Sequence, residues 1–126
     1  FISAFFSFCI SDIYSQTYVP DDNFEQALID LGYDTAPLDD YVPTANISSL
    51  TELFVSYRSI LDMTGIQDFV GLTDLGFEGN MVSTIDLSNL TSLEVLLCHE
   101  NQLSTLDISN NTSLKKLKNK TLLMLQ

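Results

Sequence analysis

Several residue types and motifs on which enzyme active sites depend are scarce or missing in this sequence. It has no tryptophan, and His99 is its one histidine. No G-x-S-x-G turn, glycine-rich phosphate loop or H-E-x-x-H motif occurs along the chain. A lone histidine lacks the partners that a catalytic triad or a zinc site requires. The sequence therefore predicts a protein that is not an enzyme and needs no cofactor.

Basic residues are also few, and they are unevenly placed. Among 126 residues there are 5 Lys and Arg against 17 Asp and Glu, so the formal net charge is −12. Because nucleic-acid binding depends on Lys and Arg that meet phosphates, this composition argues against a nucleic-acid partner. Four lysines crowd the end of the chain, at Lys115, Lys116, Lys118 and Lys120. We interpret them as exposed strand positions; a lysine patch that recognises a ligand is the alternative.

Long apolar stretches are absent except at the N-terminus. Residues 1–10 form an apolar run that is too short to span a bilayer but has the length of a signal peptide's apolar core. We therefore predict that residues 1–16 are a signal peptide remnant and that the mature protein is secreted or displayed on the outer cell surface, without membrane insertion. A buried strand over residues 1–10 is the alternative. Removal of the signal leaves Cys98 without a disulfide partner.

The sequence repeats itself every 21 residues between Leu72 and Leu117. One unit reads LTDLGFEGNMVSTIDLSNLTS, the next reads LEVLLCHENQLSTLDISNNTS, and a third opens as LKKLKNK. Apolar residues recur at equivalent positions, as do Asn80 and Asn101. A fixed period in the twenties with the spacing L-x-x-L-x-(F/C)-x-x-N is the signature of a leucine-rich repeat solenoid.

This spacing explains how such a unit would fold. The last two apolar residues of L-x-x-L-x-(F/C) lie two positions apart, so they face the same side of a short strand. Parallel stacking of these strands lets each unit bury apolar side chains that it cannot bury alone. Asn80 and Asn101 follow the strand, where an amide side chain can replace missing backbone partners. The predicted fold class is α+β but mainly β, a right-handed leucine-rich repeat solenoid of parallel short strands.

The second half of each unit repeats the apolar spacing of the first half. The correspondence pairs Val82 with Leu72, Ile85 with Leu75, and Leu87 with Phe77. We therefore predict two extended segments per turn and a thin two-faced coil, because no helix-period run of adequate length fits inside a unit. Cys98 stands in the inward slot of Phe77, which predicts a buried, unreactive thiol.

A helix is predicted ahead of the repeats. In PDDNFEQALIDLGYD, Asp22 is the candidate N-cap, Glu25 completes a capping box, and Gly32 follows as a stop signal. A solenoid end needs covering because it exposes both core and strand edge. We therefore predict an N-terminal helical cap over residues 17–46 and leucine-rich repeats over residues 47–126, in about three turns.

Two stretches carry a resemblance to a known group of proteins. TYVPDDNFEQALIDLGYD, residues 17–34, and LDDYVPTANISSLTELFVS, residues 38–56, are similar to the opening of secreted leucine-rich repeat proteins of Bacteroidetes-type bacteria, in the nested 21-residue class. The resemblance covers nearly everything after Gln16. It implies a bacterial protein that is secreted or displayed on the cell surface.

The last turn departs from the pattern. Leu122 stands where the pattern has Asn, and residues 122–125 form an uncharged apolar run. Counted by the period, the sequence ends roughly eight residues short of a full turn. We therefore expect a truncated C-terminus, fast hydrogen exchange from Leu114 onward, and association through this uncapped end.

Exposed strand positions supply the candidate binding residues. Phe54 and Leu97 are predicted to face solvent among charged neighbours, which suits a protein-binding patch. Packing against sequence that continues past Gln126 is the alternative for these two residues. The predicted binding face comprises Phe54, Ser56, Asp74, Glu78, Glu94, Leu97 and His99.

The second face is made of Ser, Thr and Asp, with Asp86 beneath Asp107. We interpret it as a solvated surface; a cation or sugar face is the alternative, because neighbouring carboxylates repel unless something lies between them.

These patterns predict a non-catalytic module that binds a protein or a glycan. The alternative function is a structural spacer, a solenoid that holds a downstream domain away from the cell.

Overall fold

The computed structural model describes residues 14–119 of the chain. Its elements, in order, are β1 (Gln16–Tyr18), helix α1 (Asp22–Asp30), β2 (Tyr41–Pro43), a 3-10 helix (Thr44–Asn46), β3 (Glu52–Phe54), a second 3-10 helix (Ile66–Asp68), β4 (Asp74–Gly76), β5 (Val95–Leu97) and β6 (Lys116–Lys118). Strands β3 to β6 form a parallel sheet in chain order. Since neighbouring strands run the same way, each connection returns to the same end of the sheet, and the chain winds as a coil.

The register of the parallel sheet confirms the repeat predicted from the sequence. Leu53 pairs with Leu75, Leu75 with Leu96, and Leu96 with Leu117. The first step is therefore 22 residues and the next two are 21, so the steps from Leu75 to Leu117 match the sequence period. Each turn adds one short strand, so the exposed side chains of successive turns lie in columns across the sheet.

The inward positions form one continuous core. Leu53, Leu75 and Leu96 are at most 1% exposed, and Phe77 and Cys98 are fully buried in the neighbouring inward slot. Burial raises the pKa of the Cys98 thiol to about 12, and the Glu78 carboxylate contributes in the same direction. The thiol therefore stays protonated and packs as a small apolar side chain, as predicted.

Asn80 replaces backbone partners inside the coil, which confirms the role predicted for it. Its Oδ1 accepts hydrogen bonds from the N–H groups of Arg58 at 2.9 Å and Ile60 at 3.0 Å. Its Nδ2 donates to the carbonyls of Val55 at 3.0 Å and Phe77 at 2.7 Å. One side chain thus joins two consecutive turns through four backbone groups.

Asn101 repeats this arrangement one turn later. Its Nδ2 donates to the Phe77 carbonyl at 3.0 Å and to the Cys98 carbonyl at 3.1 Å, while its Oδ1 accepts from the Val82 N–H at 3.0 Å. The asparagines therefore form a ladder along the coil, parallel to the leucine core.

We predicted a second extended segment in each turn, and the second half of each turn is not assigned as a β-strand. No strand occurs between β4 and β5 or between β5 and β6. Isolated backbone hydrogen bonds join these return segments, from the Gln102 N–H to the Val82 carbonyl at 2.9 Å, for example. Val82 and Leu87 are nevertheless buried. The apolar spacing therefore indicated burial correctly, although the return side forms no β-strand.

Helix α1 begins one residue earlier than the sequence indicated. The N-cap is Asp21, not Asp22, because the Asp21 Oδ1 accepts hydrogen bonds from the N–H groups of Asn23 at 2.9 Å and Phe24 at 3.0 Å. The Asp21 Oδ2 accepts from the Leu61 N–H at 2.9 Å. The same side chain therefore caps the helix and joins it to the return side of the first turn.

Glu25 does not complete the predicted capping box. Its side chain is fully buried and accepts hydrogen bonds from the N–H groups of Asp39 at 2.8 Å and Asp40 at 2.9 Å. Burial raises the pKa of Glu25 despite these two donors. On the same helix face, Phe24 stacks on Phe69 with ring centroids 6.1 Å apart, so α1 shares one core with the repeats.

An antiparallel pair, β1 with β2, precedes the repeats and was not predicted. Gln16 pairs with Pro43, and the Thr44 N–H donates to the Ser15 carbonyl at 3.1 Å. Pairing therefore begins before the boundary at residue 16 that the sequence suggested. Residues 1–13, which carry most of the predicted signal peptide, lie outside the described residues.

Within residues 14–119, β6 is the last strand of the parallel sheet. Leu117 occupies the inward column of Leu96 but is 41% exposed. Asn119, in the slot of Phe77 and Cys98, is 2% exposed, and neither of its amide atoms has a hydrogen-bond partner. The predictions for residues 120–126 fall outside the described residues. Within residues 14–119 no helix has the length and apolar character to cross a membrane.

Candidate functional site

Three columns of side chains make up the exposed strand face. The column between the inward positions reads Phe54, Gly76, Leu97, Lys118, and the one at the strand starts reads Glu52, Asp74, Val95, Lys116. Beyond the strands lie Ser56, Glu78 and His99. Phe54 is 48% exposed, and Leu97 is half-buried. The predicted binding residues therefore lie on one side of the coil.

Gly76 has no side chain, and the space above it is bordered by the side chains of Phe54 and Glu78. A methyl group on Gly76 would lie 2.7 Å from Cδ1 of Phe54 and 3.0 Å from Oε2 of Glu78. The phenyl ring and the carboxylate therefore meet directly above this glycine. Because one side of the ring rests on the backbone, Phe54 is held while much of its surface faces solvent.

A column of left-handed residues follows the strands. Tyr57, Gly79 and Glu100 have φ of 57°, 72° and 57°. They are equivalent, since the Tyr57 N–H donates to the Glu78 carbonyl and the Gly79 N–H to the His99 carbonyl. A positive φ costs a non-glycine residue free energy and is often found at functional sites. The column identifies Tyr57 and Glu100, which our sequence analysis missed.

Tyr57 and Glu100 contact each other across the turn between them. The Tyr57 Oη donates a hydrogen bond to Oε2 of Glu100 at 2.8 Å. The Tyr57 ring crosses Gly79, where any Cβ would collide with it. Only glycine in the middle turn leaves room for this bridge. We call these three residues the Tyr57–Glu100 bridge; equal spacing from the inward leucines was the signal that could have located it.

The bridge predicts an unusual titration of Tyr57. The hydrogen bond to Glu100, followed by the repulsion of its charge, raises the pKa of Tyr57 above the ordinary 10.0. The bridge should therefore stabilise the fold below pH of about 10 and lose its contribution as pH rises through the higher folded pKa. Tyrosine 13Cζ NMR titration should show Tyr57 ionising later in the wild type than in Glu100→Gln. Equal midpoints in the two proteins would contradict the bridge.

His99 is more buried than we predicted. We expected an exposed strand residue, but its side chain is 15% exposed. Its Nε2 lies 4.0 Å from Oε2 of Glu100, and its Nδ1 is buried without a partner. Oε2 of Glu78 is likewise buried without a donor. Two polar groups on this face therefore lack the hydrogen bonds that they could make.

Three predicted binding residues, Ser56, Asp74 and Glu94, lie outside the group formed by the Tyr57–Glu100 bridge, Phe54, Glu78, Leu97 and His99. Glu94 precedes β5 and pairs with Lys115 at 3.2 Å. Asp74 accepts a hydrogen bond from the Thr73 hydroxyl at 2.8 Å. Ser56 is half-buried in the same column as Glu78. The centre of the site is consequently formed by Phe54, Tyr57, Glu78, Leu97, His99 and Glu100.

The aspartates of the opposite face have local partners. Oδ1 of Asp86 accepts from the N–H of Ser88 at 3.0 Å and from its hydroxyl at 2.6 Å. Oδ1 of Asp107 accepts from the N–H of Ser109 at 2.9 Å. The hydrogen bonds from Ser88 and Ser109 lower the pKa values of the two aspartates. Asp62 makes the same turn with Thr64. The aspartates of this face therefore each stabilise a turn that recurs along the coil.

These turns predict that calcium does not bind the aspartate face. Asp86 and Asp107 each commit one carboxylate oxygen to a turn, whereas a calcium ion needs six to eight oxygen ligands. We expect millimolar calcium to leave the melting temperature unchanged, since a ligand raises it only by binding the folded state. Differential scanning fluorimetry with Asp107→Ala as the control tests this. A calcium-dependent rise that is absent in the variant would contradict it.

Carboxylates also approach one another beside helix α1. Two groups of three are close enough to hold a metal ion together, Asp22, Glu25 and Asp40, and Glu25, Asp34 and Asp39. Glu25 is common to both, and its two oxygens already accept backbone hydrogen bonds. The two backbone N–H groups therefore satisfy the buried Glu25 carboxylate.

Solved structures of leucine-rich repeat proteins from Listeria monocytogenes resemble the chain. The functional domain of InlJ is 32% identical with a TM-score of 0.71, over 83% of this chain and 25% of that one. The internalin InlF is 26% identical with a TM-score of 0.72, over 79% of this chain and 30% of its own. Internalin C2, 24% identical with a TM-score of 0.70, agrees in fold over 79% of this chain and 45% of its own.

The chain thus spans less than half the length of each of these internalins. No protein-family model and no curated protein matches it. The similarity supports the leucine-rich repeat solenoid, whose exposed strand face carries the unpartnered polar atoms of Glu78 and His99.

Proposed function

We propose that this leucine-rich repeat protein is a non-catalytic binding module, and that a protein partner docks on its exposed strand face. The observation that carries the proposal is the arrangement of Phe54 and Tyr57. Both rings are exposed, by 48% and 68%, and each lies over a glycine of the next turn. Exposed aromatic side chains that are already held in place lose little entropy on binding.

The surroundings of the two rings support a protein partner over a glycan. Leu97 extends the apolar surface, while Glu78, His99 and Glu100 supply polar groups beside it. An apolar centre with a polar margin is the usual composition of a protein interface. We include Ser56, Asp74 and Glu94 in the proposed face as its margin.

We also make proposals about the N-terminal region and the source of the protein. We propose that residues 17–46, which contain α1 and most of the β1–β2 pair, cap the N-terminal end of the solenoid, because Phe24 and Leu28 belong to its core. The apolar run in residues 1–10 supports secretion to the outside of a bacterial cell, with residues 1–16 as a signal peptide remnant. The sequence resemblance supports a Bacteroidetes-type source and the nested 21-residue class.

Paired serine variants test the proposal. We expect Phe54→Ser and Leu97→Ser to abolish capture of proteins from host or bacterial surface extracts by the immobilised chain, because they remove the apolar centre. Leu61→Ser is the matched control, since Leu61 is 60% exposed on the return side. Captured proteins would be compared by mass spectrometry after washing.

The spacer hypothesis makes the opposite prediction for the same experiment. A spacer captures nothing that depends on Phe54 or Leu97, so equal capture by all three variants and the wild type would contradict the binding module.

A further inference from the structure

We propose that the partner presents a basic side chain, arginine in the first instance, to a site formed by Glu78, Glu100, Phe54 and Tyr57. This inference rests on the proposed function of the strand face and specifies the chemistry of its partner. It follows from three independent features of the site: its charge, the state of the Glu78 carboxylate, and the two ring faces.

The charge of this part of the face is unbalanced. Within residues 14–119, the ion pairs join Arg58 to Asp30, Lys115 to Glu94, and His99 to Glu100. The first two cations are therefore engaged elsewhere, and the third is charged only when the histidine is protonated. Lys116 and Lys118, which are in none of these pairs, stand in the outward columns of β6, two strands away from the strand that precedes Glu78. None of these pairs includes Glu78. A partner that brings a cation would complement the acidic half of the face, whereas an acidic partner would be repelled.

The Glu78 carboxylate is held in an incompletely satisfied state. Its Oε2 is buried without a hydrogen-bond partner, and it approaches the space over Gly76 that the Phe54 ring also borders. A buried carboxylate oxygen without a donor costs free energy, because no hydrogen bond replaces its lost hydration. The rest of the side chain remains partly exposed, so a partner can still reach it. An approaching cation gains more from such a carboxylate than from a fully hydrated one.

Aromatic faces flank the two carboxylates. The Phe54 ring lies beside Glu78 over Gly76, and the Tyr57 ring crosses Gly79 to reach Glu100. A guanidinium group stacks on aromatic faces and donates to carboxylates in the same plane, whereas an ammonium group acts as a point charge. This combination of groups favours arginine over lysine.

Peptide selection tests the inference without knowledge of the natural partner. A phage library of random peptides of about 12 residues would be selected on the immobilised chain, and binding peptides resynthesised with each arginine replaced by citrulline. We expect selected peptides to carry arginine or lysine. We also expect Glu78→Gln and the arginine-to-citrulline replacement each to weaken binding by about tenfold or more. Combining the two should weaken binding little further, because they remove the same interaction.

Controls separate charge from folding and from the wider function. Glu100→Gln is a second variant of the site. Asp107→Asn is the control, because it removes a carboxylate from the opposite face and should bind the selected peptides as the wild type does. Circular dichroism melting would establish that each variant is folded. Added salt should weaken binding to the wild type more than binding to Glu78→Gln.

The outcomes distinguish this inference from the proposed function. Peptides that need Phe54 but carry no basic residue, or that bind Glu78→Gln as well as the wild type, would overturn the cation site and leave the strand-face module standing. Peptides that bind Phe54→Ser and Leu97→Ser unchanged, or a selection that enriches no peptide, would count against both.

Discussion

Replacing Asn80 with alanine should lower the free energy of unfolding by about 3–5 kcal/mol, because it leaves several buried backbone groups without partners. The side chain accepts from the N–H groups of Arg58 and Ile60 and donates to the carbonyls of Val55 and Phe77. Asn80 is 6% exposed, so water can replace few of these bonds. A void the size of the amide would remain as well.

Asn89→Ala is the matched control for this substitution. Asn89 is exposed and makes one long hydrogen bond, from Nδ2 to the Gln67 carbonyl at 3.3 Å. We expect it to cost no more than about 0.5 kcal/mol. Urea denaturation midpoints for the two variants decide the matter, and similar midpoints would mean that the asparagine ladder is not what joins the turns.

Leu96→Ala should lower the free energy of unfolding by about 2–5 kcal/mol, since it opens a cavity in the core between two turns. Leu96 is fully buried, whereas Leu97, the next residue, is only half-buried on the strand face. Leu97→Ala should cost about 1 kcal/mol. Because the His99 side chain is 15% exposed, we expect His99→Ala to cost about 1 kcal/mol as well. If Leu97→Ala or His99→Ala proved the more damaging, the inward and outward faces would be exchanged.

The fold could be predicted where the sequence repeats a physical requirement in every turn. Leu75 and Leu96 had to be inward because their spacing suits a half-buried strand, and Asn80 had to follow because the coil leaves backbone groups unpaired. The return side could not be predicted in the same way. Its apolar spacing matches a strand, but the turn that Asp86 forms with Ser88 outweighs that spacing locally.

The N-cap of helix α1 could not be decided between two neighbouring aspartates from the sequence. Asp21 and Asp22 are equally suitable N-caps by residue type. Asp21 is the N-cap in the structure, where its second oxygen also accepts from the Leu61 backbone. That contact joins residues far apart in sequence, so local patterns contain no sign of it.

The candidate site was predictable in its position and not in its internal contacts. Equal spacing from the inward leucines placed Phe54 and Leu97 on one face. The contacts of Phe54 and Tyr57 depend on Gly76 and Gly79, whose missing side chains make room for rings from the previous turn. Such contacts become visible only when consecutive turns are superposed, and this is why Tyr57 and Glu100 were missed.

Site-specific photo-crosslinking tests the central claim, that a partner docks on the strand face, most directly. A benzoylphenylalanine at position 97 would lie on the strand face, and one at position 61 would lie on the return side. We predict that a captured partner cross-links at position 97 and not at position 61. Cross-linking at position 61 without cross-linking at position 97 would contradict the account.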